Sequence, residues 1–165
     1  MKNKAIIIGL SLSLCLFAFL IRDRFLSFFV AEITGENILF SDSSNVTHQI
    51  FPMLIFIFSF GIIPFLYLIV RNYCKIYSTK QQLLSLLIII ISGFLFLGLR
   101  VIYLKFKVAQ INDILRRAEF TSETDIPRIN FQDMYLEYYL LAGLVVGTII
   151  CMIIFKKSSN SGIKN

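Results

Sequence analysis

Long apolar runs alternate with short polar ones along the chain, and the run at 83–99 sets the scale. It carries no charge, and only Ser85, Ser92, Gly93 and Gly98 interrupt its Leu, Ile and Phe. At the helical rise this run covers about 25 Å, and 101–104, after Arg100, complete the ~30 Å of a hydrocarbon core. The helical pattern continues beyond. Val108, Ile111, Ile114, Leu115 and Ala118 recur at spacings of three and four, with Asp113 and Arg117 four apart. The spacing predicts one continuous helix that leaves the membrane as an amphipathic rod.

Three further apolar segments give this helix its neighbours. Residues 5–21 follow Lys2 and Lys4, as in a signal peptide. Yet Ile21-Arg22-Asp23-Arg24-Phe25 has no small-x-small cleavage pattern, and Leu12-Ser13-Leu14-Cys15 has Leu where a lipobox needs a small residue. A retained first span is expected. The cluster Phe25, Leu26, Phe28, Phe29, Val30 and Ile33 reads either as a short helix in the interface or as an extension of a tilted first span. Residues 50–70 form the second span, with Pro52 in its first turn and Pro64 in its interior, where a kink is expected beside Gly61. The fourth, 136–155, is preceded by the interfacial belt of Tyr135, Tyr138 and Tyr139 and closed by Lys156 and Lys157. The predicted fold is thus an all-α polytopic membrane protein. Its four transmembrane helices, 5–21, 50–70, 83–104 and 136–155, form an antiparallel bundle. Residues 1–157 make the single domain, and 158–165 a polar cytoplasmic tail.

The connections are read from their polar residues. Residues 34–49 form a linker without apolar periodicity. The stretch 71–82 is short, with Thr79 and Gln82 spaced as a capping box for the third span. Residues 121–128 hold Glu123, Asp125 and Pro127 and read as a turn, and Asn130 with Asp133 can start the last helix. Lys2, Lys4, Arg71, Lys75, Lys80, Lys156, Lys157 and Lys164 crowd the short segments on one side. Arg22, Arg24, Lys105, Lys107, Arg116, Arg117 and Arg128 are spread over the longer segments of the other. By basic density both termini face the cytoplasm, with the inner membrane of a bacterium as the expected location, and both long loops are external.

Composition narrows the function. With 57% hydrophobic residues in 165 there is no material for a separate soluble domain. The net charge of +6 belongs to segments flanking the spans, so nucleic acid is not an expected partner. Cys15, Cys74 and Cys151 are isolated, and neither a disulfide framework, a metal site nor a cofactor is indicated. No Gly-rich phosphate loop, HExxH, GxSxG or paired intramembrane aspartates occur, which reads as no enzyme, with Asp113, Glu119 and Asp133 as the carboxylates on which any chemistry at the membrane surface would have to rest. The sequon Asn45-Val46-Thr47 and the single histidine, His48, read as incidental loop and interface residues. No carboxylate, histidine or lysine lies at the middle of any span, which argues against a pump or carrier. Arg100 is the deepest charge and either snorkels or pairs with Glu137 or Asp133. Gly143 and Gly147 form a GxxxG extended by Cys151, suited to helix packing within the bundle or between copies.

In length, four spans, inward termini and lack of catalytic motifs, the chain resembles the inner-membrane immunity proteins of pore-forming colicins of the A type. The resemblance is architectural, covers the whole chain and carries no functional residue over. It implies binding to a toxin's helical pore domain within the bilayer, blocking channel opening. The other readings are an accessory subunit of a larger membrane complex and an oligomeric pore. The expected partners are therefore the lipid bilayer and a membrane protein or toxin, with a homo-oligomer as the alternative. The expected recognition surface is 105–135, with Ile111, Ile114, Leu115, Arg116, Arg117 and Arg128 as its contact residues.

Overall fold

The computed structural model describes residues 2–34, 40–41, 46–74, 78–117, 129–130 and 134–161. Five helices carry the fold: α1 (Lys2–Thr34), α2 (Val46–Gly61), α3 (Ile63–Cys74), α4 (Thr79–Arg117) and α5 (Leu136–Ser161). Two short strands, β1 (Phe40–Ser41) and β2 (Ile129–Asn130), pair in parallel, Phe40 opposite Ile129 and Ser41 opposite Asn130. Three helices are long and apolar enough to cross a membrane, and a fourth crossing exists if the bent pair α2–α3 is one span. The protein is a membrane protein by that composition.

The helices differ in length. The apolar stretch Leu136–Lys156 has 21 residues, close to one bilayer thickness. Ala5–Ile33 has 29 and Thr79–Ile111 has 33, about 44 and 50 Å at the helical rise. The Phe-rich 25–33 therefore belongs to α1 as a continuous extension, and no separate interfacial helix forms. No proline or glycine follows Gly9 in α1, so nothing in the backbone stops it before Thr34.

The α2–α3 break has a local cause. Pro64 has no N–H to continue the ladder, and the Phe65 and Leu66 amides both turn to the Ile62 carbonyl, at 2.9 and 3.0 Å. The axes bend by 43°. The Gly61 carbonyl, left by Phe65, accepts a hydrogen bond from the Ser11 hydroxyl of α1 at 2.5 Å. A hydroxyl thus satisfies a backbone group freed by a proline, as a low-dielectric surrounding requires. A side chain on Gly61 would run into the Cys15 sulfur, so α1 and α2 approach closely at the bend.

Several boundaries differ from the sequence expectation. Helix α2 starts at Val46, which makes part of the expected 34–49 linker helical and moves Pro52 from the first turn into the second. The Ser78 carbonyl accepts the Gln82 amide at 3.0 Å, so Ser78, not Thr79, is the first residue of the cap. The Gln82 side chain accepts from the Tyr67 hydroxyl at 3.1 Å instead of closing a capping box. Helix α5 begins at Leu136 rather than at Asn130 or Asp133: Asn130 lies in β2 and Asp133 is outside the described residues. Its far end reaches Ser161, into the expected tail.

The most extensive helix contact is α4 with α5, and α5 also packs on α2 and α3. At this seam a side chain on Gly143 would come within 2.6 Å of the Ser92 carbonyl and 2.9 Å of the Gly93 Cα. One on Gly147 would meet the Ser92 Cβ at 2.7 Å. Two apolar clusters fill the bundle. One holds Phe56, Leu97, Met134 and Leu136 and lies toward the strand-bearing end; the other holds Val70, Ile89, Leu144 and Cys151. Buried polar side chains answer to backbone carbonyls: Thr148 to Leu144 at 2.8 Å, Ser59 to Ile55 at 2.7 Å, Ser85 to Gln82 at 2.8 Å and Cys151 to Ser85 at 3.4 Å.

Candidate functional site

Charged side chains of three helices gather at the end of the bundle where β1 and β2 pair. Arg22 comes from α1, Arg100 from α4 and Glu137 from the first turn of α5. Helix α5 starts abruptly. Tyr135 has φ 51°, a left-handed conformation that costs a non-glycine residue about 1–2 kcal/mol, and its carbonyl accepts the Tyr139 amide at 3.3 Å. This turn stands just after Met134, whose carbonyl accepts the Arg100 Nε–H at 2.9 Å. The Arg100 guanidinium lies 4.9 Å from the Tyr139 ring centre and 5.3 Å from that of Tyr103. Both aromatic faces are therefore within cation–π range.

Glu137 does not share in this. It is 5% exposed, and its Oε1 accepts no hydrogen bond among the described residues. Arg22 in turn holds a loose contact with its neighbour Asp23 at 3.3 Å, while its Nε is buried without a partner among the described residues. An acid in the first turn of α5 also sits well in the helix dipole. Arg100 thus reaches the Met134 carbonyl and two aromatic rings. The sequence offered one clue to Arg22: it stands as far from the Lys2–Lys4 anchor as Arg100 does from Lys80.

Further along α1 and α4, Glu32 and Lys105 form a salt bridge between half-exposed side chains. Sequence reasoning missed it because the partners are distant in the chain and each reads alone as a surface charge. Large apolar side chains stand exposed on the same two stretches: Phe28 on α1, and Ile102, Tyr103 and Phe106 on α4.

Of the expected recognition residues, Ile111 is half-buried on α4. Ile114, Leu115, Arg116 and Arg117 belong to the last turn of α4 by backbone, and Arg128 lies outside the described residues, as do Glu119 and Asn45. Asp113 is exposed, and His48 falls in the first turn of α2. Gly143, Gly147 and Cys151 all lie at the α4–α5 seam, on the face of α5 that meets Ile88, Ile89 and Ser92 or the Ser85 carbonyl. The described residues hold no cluster of three metal-ligating side chains. Comparison with protein-family models, curated proteins and solved structures finds no match to this chain, so its function is argued from its own residues.

Proposed function

We propose that this chain is a four-span protein of a bacterial inner membrane, its helices antiparallel and both termini cytoplasmic, that acts by binding a partner at the outer end of its bundle. The partner class that fits is a membrane-inserting protein, foremost a pore-forming toxin, with the chain as its immunity or exclusion factor.

The observation that carries this reading is the unequal length of the helices. Measured from the basic residues at the opposite end, one bilayer thickness reaches Arg22 to Arg24 on α1, Arg100 on α4 and Glu137 on α5. Helices α1 and α4 then continue past that level, joined by Glu32 and Lys105, and the β1–β2 pairing ties the two outer connections together. Spanning alone requires none of this added structure. An outer platform with exposed Phe28, Ile102 and Phe106 among mixed charges suits contact with another protein at the membrane surface.

Two measurements test it. Single cysteines at Ser78 and Ser122, in a background lacking Cys15, Cys74 and Cys151, report topology. A membrane-impermeant thiol reagent should label the Ser122 site in intact cells and leave the Ser78 site unlabelled. Replacing 105–135 by a short neutral hairpin should abolish protection of cells challenged with A-type pore-forming colicins, with the spans still inserted. Full protection by the swapped protein would move recognition into the spans. Absence of protection by the intact chain against every such toxin would leave the accessory-subunit reading.

A further inference from the structure

We propose that the end of the bundle opposite the two strands carries a site for an anionic phospholipid, with Lys156 and Tyr73 taking the phosphate and the exposed apolar faces of α3 and α5 taking an acyl chain. The proposal rests on the apolar composition of the helices, and not on the partner reading or on which end is cytoplasmic.

Three contacts draw α3, α4 and α5 together here. The Tyr67 hydroxyl meets the Gln82 side chain, the Cys151 thiol donates to the Ser85 carbonyl, and the Cys74 thiol donates to the Met152 carbonyl at 3.7 Å. At the rim beside them, the Lys156 ammonium donates to the Tyr73 hydroxyl at 3.1 Å and lies 5.3 Å from the centre of its ring. Both side chains are exposed. The phenol accepts this bond, so its own proton remains to be donated, and the ammonium keeps further N–H donors. Such a donor pair suits an anion, and no Asp or Glu of the chain supplies one at this end: all ten lie within 23–42 and 113–137. Arg71 and Lys80, both exposed, add positive charge at the same end.

The faces that lead from this pair into the bilayer are apolar. Phe65 and Ile69 precede Tyr73 at helical spacing, as Ile149 and Ile153 precede Lys156, and all four are exposed. A phosphate joined to an acyl chain matches this order of charge and apolar surface, as at basic sites between membrane helices. An acidic segment of a soluble protein would meet the cation and leave the apolar strip without an occupant. The strip would take the chains of any lipid, so headgroup charge is what the site selects.

Native mass spectrometry of the whole chain tests this, with the protein released from neutral-detergent micelles that hold equal amounts of phosphatidylglycerol and phosphatidylcholine of the same acyl chains. The wild-type chain should retain phosphatidylglycerol over phosphatidylcholine by about fivefold, the scale of one basic side chain at an anionic surface. Lys156→Gln should bring that ratio to about two or below, and Lys156→Arg should keep it. Tyr73→Phe, which keeps the ring and loses the donor, should lower it about twofold. Lys105→Gln combined with Lys107→Gln, at the strand-bearing end, should leave it unchanged. A wild-type chain without preference overturns the proposal and leaves this end to topology or to an acidic protein segment. So does a preference that survives Lys156→Gln, or one that the Lys105 and Lys107 changes remove equally. Added inorganic phosphate that is retained in place of the lipid, which its mass reveals, overturns it as well. None of these outcomes touches the recognition reading, which the loop replacement tests alone.

Discussion

The α4–α5 seam and the strand-bearing end of the bundle are built on opposite principles. Where Gly93, Gly143 and Gly147 let the two backbones meet, the contacts are uncharged, and small hydroxyls and thiols return their hydrogen bonds to nearby carbonyls. At the other end a handful of charged side chains from three helices does the holding, and their partners are rings, a carbonyl and one another. Between helices in lipid the hydrophobic effect gives little preference, so close packing must supply the contact energy at the seam. Where helices emerge toward water, charge becomes affordable and carries specificity instead. The seam should therefore respond to added volume, and the outer end to changed charge.

The largest effect is expected from Gly143→Leu. The Ser92 carbonyl and the Gly93 Cα belong to backbone that cannot turn aside, so overpacking should cost about 3 kcal/mol or more. Gly98→Leu is its control, because a side chain there meets nothing within 4 Å, and its effect should stay within about 0.5 kcal/mol. Thermal unfolding in one detergent measures both. Equal loss in the two variants would mean that helix flexibility, and not the seam, accounts for the sensitivity.

Arg100→Ala comes next. It removes a charged hydrogen bond to the Met134 carbonyl and the cation–π contacts with Tyr103 and Tyr139, together about 2 kcal/mol. Arg100→Lys keeps the charge but not the planar group, and it should recover only part of that stability. Full recovery by lysine would show that charge alone matters at this position. Ser11→Ala should cost less, about 1 kcal/mol, the scale of one hydroxyl bond between helices in a membrane. Placing the same change in a Pro64→Ala background separates the causes: once the Phe65 amide can reclaim the Gly61 carbonyl, the effect of Ser11→Ala should shrink.

What could be read from the sequence follows the range of the forces involved. Apolar runs and their basic flanks are local signals, so the helices that can cross a membrane were legible, as was the disturbance at Pro64. The Gly143-x-x-x-Gly147 spacing is likewise local, and α4 lies against it. The extent of α1 was not legible, because Phe25 to Phe29 has the same pattern whether the helix lies down in the interface or runs on. The turn at Tyr135 leaves no mark, since left-handed backbone at a tyrosine has no residue signature, and the contact of Arg100 with Met134 adjoins it. Glu32 and Lys105 are joined only by the fold, 73 residues apart, so no local pattern announces their bridge.

The smallest effect is expected at the Glu32–Lys105 bridge, and its smallness is informative. Both side chains are about half exposed, so solvent and salt screen their attraction, and exposed pairs of this kind contribute about 0–1 kcal/mol. Lys105→Gln should therefore lower stability by a few tenths of a kcal/mol in low salt and by nothing measurable at 1 M. Arg100→Gln, which removes the charged donor to the Met134 carbonyl and the contacts with two rings from a half-buried position, should keep most of its effect at both salt concentrations. Unfolding of the two variants across a salt series thus separates a screened surface pair from a charge held within the bundle. If Lys105→Gln proved as costly and as salt-insensitive as Arg100→Gln, the outer stretches of α1 and α4 would be shielded from water. The level at which the bundle leaves the bilayer would then lie beyond Glu32 and Lys105.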